Sequence, residues 1–520
     1  MHRRQVLKLG FGAGLAMGMA PLVPRTWAQA PESSLAFDPE AYAELSVTVS
    51  TAGGDREVAY RFYKAIPYVA RPINVTYQCL NVSVPVSIDG VAIDASNAPI
   101  LFANSIGGYM PSSVAEATGI DASPPTGMPP SAPGGAGPQG GEVQSGGNAM
   151  LDRGQRVSNA KLALAAGCVV VEPGARGRTL VNSEGIYYGV APAAIIDLKA
   201  AVRYVRANQG RIPGNTDQII SSGTSAGGAL SALLGASGDS DLFTQALAGL
   251  GAADASDAVF ATGAWCPITD LGHADMAYEW NWGTSPLQSG ELVDQDISRE
   301  LADAFPAYQD GLELEGLGDF GPLTAGRYGA YLVETYLVPA ATAYLGALPE
   351  ADRASYLAAN PPIGWQDGKA SFTWEEFVQH VGTRKKGLPA FDAFDLSTAE
   401  NNLFGVGTTP ARHFTLFSLR HATGDTAVEL DPDIPLKLVQ MNPMPFLLDG
   451  NPGRSRHWWL RVGTSDTDTS LTVLANLAAV AEKLGDEVNA SMYWDAGHGA
   501  NEDAGAFIQW ISDLTGYSAG

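Results

Sequence analysis

Gly223-Thr224-Ser225-Ala226-Gly227 has the spacing of a G-x-S-x-G turn around a nucleophilic serine. In a chain with 60 glycines the pattern alone says little. Its neighbours give it weight: an apolar run, 218–222, leads in, and a helix-forming run, 227–234, leads out. A sharp strand-to-helix turn lifts the hydroxyl clear of the sheet, and small flanking residues tolerate the crowding there. The first amides of the helix then face the oxygen of a reacting carbonyl. Acyl transfer needs two backbone donors for the oxyanion that develops. Ala226, directly after the serine, supplies one. Gly107-Gly108, after the apolar run 98–103, lets backbone approach a ligand closely and is the candidate for the other.

A serine nucleophile needs a base, and the base needs an orienting acid. Of seven histidines, only His498 lies beyond the second-last expected strand, where Tyr493-Trp494-Asp495-Ala496-Gly497 gives way to loop. The preceding strand ends in Gly463-Thr464-Ser465-Asp466-Thr467-Asp468, which offers two carboxylates. Asp466 comes first after the strand and is preferred. Asp468 is alternatively the N-cap of the next helix. With these groups Ser225 attacks an ester carbonyl while His498 takes its proton. Asp466 fixes the imidazole tautomer, and water then cleaves the acyl-enzyme. No metal-ligand spacing is present, so neither a metal nor another cofactor is expected.

The elements that must position these groups follow from the apolar pattern. Residues 45–50, 57–63 and 77–84 read as strands, rich in Val, Tyr and Thr and bounded by Gly or Pro. Residues 98–103 read as a strand buried on both faces. A β/α alternation follows: helix 158–166, strand 168–172, helix 191–208, strand 218–222, helix 227–234. It returns near the end as strand 458–462, helix 470–484, strand 488–494 and helix 504–514. Such alternation implies a mostly parallel sheet with helices on both faces. The chain order serine, acid, histidine on such a sheet is that of the α/β-hydrolase fold. Between the two stretches lies a region rich in tryptophan, polar helices and long connections. The expected organisation is therefore a signal segment, 1–30, a core in two parts, 31–240 and 441–520, and a large lid inserted at 241–440. Residues 123–147, dominated by Pro, Gly and Ser, read as an exposed loop.

Composition narrows the function. The formal net charge of −24 disfavours nucleic acid and anionic membrane surfaces as partners. Arg3-Arg4, Leu7 and Lys8, an apolar stretch to Val23 and Ala28-Gln29-Ala30 have the form of a twin-arginine export signal. The mature protein is then periplasmic or secreted, with no stable membrane span. Cys79, Cys168 and Cys266 show no CxxC spacing and are expected to be buried structural thiols.

Longer stretches resemble bacterial tannase. These are Ala191-Pro192-Ala193-Ala194-Ile195-Ile196-Asp197-Leu198-Lys199, Pro213-Gly214-Asn215-Thr216, the serine turn extended to Gly235, and Gly107-Gly108-Tyr109-Met110-Pro111. Lys386-Gly387-Leu388-Pro389-Ala390-Phe391-Asp392 and Glu400-Asn401-Asn402-Leu403-Phe404-Gly405 look like the tannase lid, and Gly463 to Ser470 looks like its acid loop. The resemblance runs from about residue 60 onward. It implies a carboxylesterase acting on galloyl esters, and it implies Asp466 rather than Asp468 for the triad. It also implies that Lys386, Glu400 and Asp468 hold the ring hydroxyls. That is sensible chemistry, since adjacent phenols want a cation and carboxylate acceptors. The chain departs from the family in the Pro/Gly-rich loop after Met110 and in Trp458-Trp459 before Arg461. The expected partner is thus a small phenolic ester. The rival readings are a feruloyl or general carboxylesterase and, from another class, a catalytically inactive hydrolase-fold binding protein.

Overall fold

The computed structural model of the 520-residue chain describes residues 35–122, 148–151 and 155–519. The export signal expected at 1–30 and the loop expected at 123–147 lie outside them. The main sheet has ten strands. Nine form its path: β1 (Ala43–Thr51), β2 (Gly54–Pro67), β3 (Cys79–Ile88), β5 (Ile100–Ala103), β6 (Val169–Pro173), β7 (Ile219–Thr224), β8 (Ala261–Trp265), β9 (His457–Gly463) and β10 (Glu487–Tyr493). The two-residue β4 (Val91–Ala92) pairs only with β3. The spatial order is β1-β2-β3-β6-β5-β7-β8-β9-β10. Pairing is antiparallel from β1 to β6 and parallel from β6 to β10.

The sequence explains the placement. β7 and β8 bury nearly every residue, as strands covered by helices on both faces must. β1 alternates exposed and less exposed positions at the solvated edge. The covering helices are α1 (Asn159–Ala165), α2 (Ala193–Ala207) and α3 (Ala226–Ala236). Every residue of α3 is buried, and its Ala-, Gly- and Leu-rich sequence lets it pack closely. The crossovers return to one edge of the sheet, so the loops after β5, β7, β9 and β10 gather at the strands' C-terminal ends.

β8 was not legible as a strand. Ala-Thr-Gly-Ala-Trp has little of the β-branched signal. Its small residues answer to packing: a Cβ on Gly263 would stand 3.0 Å from the Phe507 ring. β8 falls inside 241–440, the span expected as the lid. The chain leaves the sheet after Trp265 and re-enters it at His457. In between come α4 (Leu271–Trp282), α5 (Gln295–Gly311), α6 (Glu350–Ala359), α7 (Trp374–Val381) and α8 (Ala399–Leu403), with further short helices and two small hairpins. After β9 come α9 (Leu471–Lys483) and, after β10, α10 (Ala504–Thr515). Trp458 and Trp459 are core residues, with Trp459 packed on Phe507 and Trp510 of α10. No described helix is long and apolar enough to cross a membrane. All three cysteines are buried and unpaired, and burial pushes the Cys79 and Cys168 thiols up to about 12.

Candidate active site

Ser225 sits between the end of β7 and the start of α3 with φ +61° and ψ −123°. A serine there is strained, and the surroundings hold it: its N–H donates to Trp265 O at 3.0 Å, and its carbonyl accepts from Ala229 N at 2.9 Å. Only glycine fits at 228, where a Cβ would come within 2.3 Å of Trp265 O. The turn therefore locks α3 onto β8.

The Ser225 Oγ lies 2.8 Å from His498 Nε2, and His498 Nδ1 lies 2.9 Å from Asp466 Oδ2. Asp466 is fully buried, and its other oxygen accepts the Asp468 N–H at 3.0 Å. Burial by itself would lower the His498 pKa. The charge of Asp466, the neighbouring Cys266 and the hydrogen bond to Asp466 more than reverse this, leaving it well above 6.5. The arrangement can pass a proton from the hydroxyl to the imidazole and stabilise the cation that results. Asp468 stands farther off, its Oδ2 4.0 Å from His498 Nδ1, and accepts from Lys385 Nζ at 2.8 Å. The helix that follows is capped by Ser470 instead.

Two elements offer oxyanion donors. Ala226 opens α3, where the N–H has no intrahelical acceptor. Gly108 and Tyr109 are both left-handed, at φ +53° and +54°. The carbonyls of this loop are already engaged: Gly107 O accepts from Met110 N, and Gly108 O accepts from Arg178 Nε at 2.8 Å. Asn104, just past β5, joins this loop to the serine turn through Ser222 O, Gly227 O and Ser231 Oγ. Reasoning from sequence passed over Asn104; its signal was a polar residue directly after an apolar strand.

The lid brings Lys386 and Glu400 together in the wall of a cavity of about 640 Å³, also lined by Leu388, Pro389 and Ser397. Their charged ends are 4.0 Å apart, and the Lys386 ammonium lies over the Phe391 ring at 3.7 Å. Ser225 and His498 do not line this cavity. The acid loop is nevertheless tied to the lid, since the Tyr278 hydroxyl accepts from Lys386 N at 3.1 Å and donates to Thr467 O at 2.7 Å. Tyr278 and Lys385 were not legible as site residues because their partners lie far along the chain, 83 residues away for Lys385 and 108 and 189 for Tyr278. Buried Asp275 accepts from Phe391 N and Asp392 N, and burial raises its carboxyl to about 7. Among the described residues, one grouping has metal-ligating atoms within 4.8 Å of one another: Cys266, Asp466 and His498. Two of these already serve the serine relay, so an ion there would compete with it.

A serine, histidine and aspartate set within hydrogen-bond reach at the C-terminal ends of a sheet in this strand order is the arrangement of an α/β-hydrolase-fold hydrolase. Residues 184–303 match the BD-FAE family model. Comparison with curated proteins gives no match. Among solved structures, a tannin acyl hydrolase in complex with 3,4-dihydroxybenzoate is 33% identical, with a TM-score of 0.75 over 92% of this chain and 99% of that one. One in complex with ethyl gallate is 32% identical, with the same TM-score and the same coverage of both chains. The tannase of Fusobacterium nucleatum is 32% identical, with a TM-score of 0.73 over 93% of this chain and 99% of its own. The chain belongs to the tannase (tannin acyl hydrolase) family and is a carboxylic ester hydrolase.

Proposed function

We propose that the protein hydrolyses phenolic acid esters, galloyl esters first among them, through an acyl-enzyme on Ser225. The observation that carries this reading is the unbroken relay from Ser225 Oγ through His498 to buried Asp466, at 2.8 and 2.9 Å. His498 removes the hydroxyl proton as Ser225 attacks, and returns it to the leaving alcohol. Asp466 holds the imidazole with Nε2 toward the serine. The N–H groups of Ala226 and of Gly107 or Gly108 receive the oxyanion. Water then repeats the attack on the acyl-enzyme. Lys386, Glu400 and Asp468 recognise the acyl ring through its hydroxyls. Two facts support this ring reading: a cation and a carboxylate lie 4.0 Å apart in the lining of one cavity, and a relative is known in complex with ethyl gallate. The Arg3-Arg4 segment supports an exported enzyme.

Ser225→Ala tests the proposal. Hydrolysis of methyl gallate should fall by several orders of magnitude with the fold intact, because no other group can carry the acyl chain. In the unsubstituted enzyme a fluorophosphonate should add to the peptide containing Ser225. A folded Ser225→Ala variant that keeps its activity would refute the assignment.

A further inference from the structure

The loop that carries His498 is gripped from two sides. Its second residue, Asp495, has φ +57°, a conformation costly for a residue with a side chain. From the sheet side, Asp495 N donates to Thr464 Oγ1 at 2.8 Å and Ser465 N donates to Ala496 O at 3.0 Å. Gly463 permits this contact, since a Cβ there would lie 2.1 Å from Ala496 O. From the lid side, the carboxylate of Asp495 takes the Tyr356 hydroxyl on Oδ2 at 2.5 Å and His380 Nε2 on Oδ1 at 2.6 Å. The Trp494 indole N–H donates to the same Tyr356 oxygen at 2.7 Å, and the His380 ring stacks on Trp494 at 5.1 Å and 11°.

The two lid residues come from different helices, Tyr356 from α6 and His380 from the last turn of α7. No residue of α6 is fully buried, although Tyr356 and Leu357 pack partly buried against the core. His380 Nδ1 is buried without a partner, so the polar anchor of that ring is Asp495. Burial and the adjacent carboxylate drive the Tyr356 phenol far up, which keeps its hydroxyl a donor. None of these groups touches Ser225 or lines the Lys386–Glu400 cavity.

We infer that Tyr356 and His380 are positioning residues: they clamp Asp495 and so hold the His498 imidazole in line with Ser225. The lid then has two separable tasks, reading the acyl ring with one segment and bracing the base with another. This rests on His498 being the base. A base displaced by a fraction of an ångström loses rate on every ester, whereas a lost ring contact penalises only the ester that carries the ring.

The test uses the full-length enzyme with Tyr356→Phe, His380→Phe, Asp495→Asn and the pair Tyr356→Phe/Asp495→Asn. Phenylalanine keeps the ring packing and removes the polar atoms, and circular dichroism with a melting curve verifies each fold. kcat should fall roughly tenfold in each single variant on both methyl gallate and p-nitrophenyl acetate. KM for methyl gallate should stay within about twofold. The double variant should be no slower than Asp495→Asn alone, because both changes break one connection. Folded single variants with wild-type kcat on the acetate, or losses that multiply in the double variant, would overturn the inference. His498→Ala separates the two ideas. If it stays active, the base assignment itself is wrong. If it is inactive while Tyr356→Phe and His380→Phe keep full kcat, only the clamp fails.

Discussion

His498 stands between opposing influences. Burial disfavours its cation, while Asp466, within 2.9 Å, favours it and prevails. A general base works only when neutral, so kcat/KM should fall as pH drops through the raised His498 pKa. The acid limb therefore lies above 6.5, the ordinary imidazole value. Asp466→Asn removes the charge that raises it. The limb should move to lower pH, and the rate should drop on the order of 10⁴-fold, as when the orienting acid of a serine triad is lost. Asp468→Asn leaves the 2.9 Å pair in place and should keep both the limb and most of the rate on p-nitrophenyl acetate. pH–rate profiles of the two variants decide the matter. A larger loss in Asp468→Asn would mean that the two carboxylates have exchanged roles. Its place directly after the strand already favoured Asp466, and the distances, 2.9 Å against 4.0 Å to the same nitrogen, favour it too.

The elements were unevenly legible. Strands built from Val, Ile, Tyr and Thr, such as β2, β3 and β6, fall where their runs are, and so do helices with an apolar stripe. β8 was missed because its small residues serve the helices packed on it. The lid loop shows another limit of sequence reading. Lys386 is held through a fully buried ion pair, in which Arg384 grips Glu279 of α4 with bonds of 2.6 and 2.5 Å and also donates to Lys386 O and Gly387 O. Positions 279 and 384 are more than a hundred residues apart, and nothing local marks either one. Glu279→Gln leaves the guanidinium buried without its counter-charge. Breaking such a pair costs about 3–5 kcal/mol. Urea unfolding should show a loss of that size, with KM for methyl gallate rising as the Lys386 loop loosens. Stability within about 0.5 kcal/mol of wild type, the range of ordinary surface changes, would show that the pair does not hold the loop.

At the scale of the molecule, the proposal gives the reaction to the sheet and the selection to the inserted region. The sheet half was readable because chain order and strand ends constrain a serine, an acid and a histidine together. The lid residues were proposed only through resemblance to a family, since a lysine and a glutamate 14 positions apart carry no signal of their own. Lys386 and Glu400 both line one cavity, and Tyr278 and Lys385 tie the acid loop to the lid segment that carries Lys386. If these groups pair with ring hydroxyls, removing one strips a partner from a desolvated site, a loss of about 1–3 kcal/mol, or roughly ten- to a hundredfold. p-Nitrophenyl acetate has no hydroxylated acyl ring to hold and should be nearly indifferent. The most direct measurement is kcat/KM for methyl gallate divided by that for p-nitrophenyl acetate in Lys386→Ala, Glu400→Ala and Asp468→Ala. The ratio should fall at least about tenfold in each. An unchanged ratio in all three would contradict a galloyl-selective site and leave a general carboxylesterase.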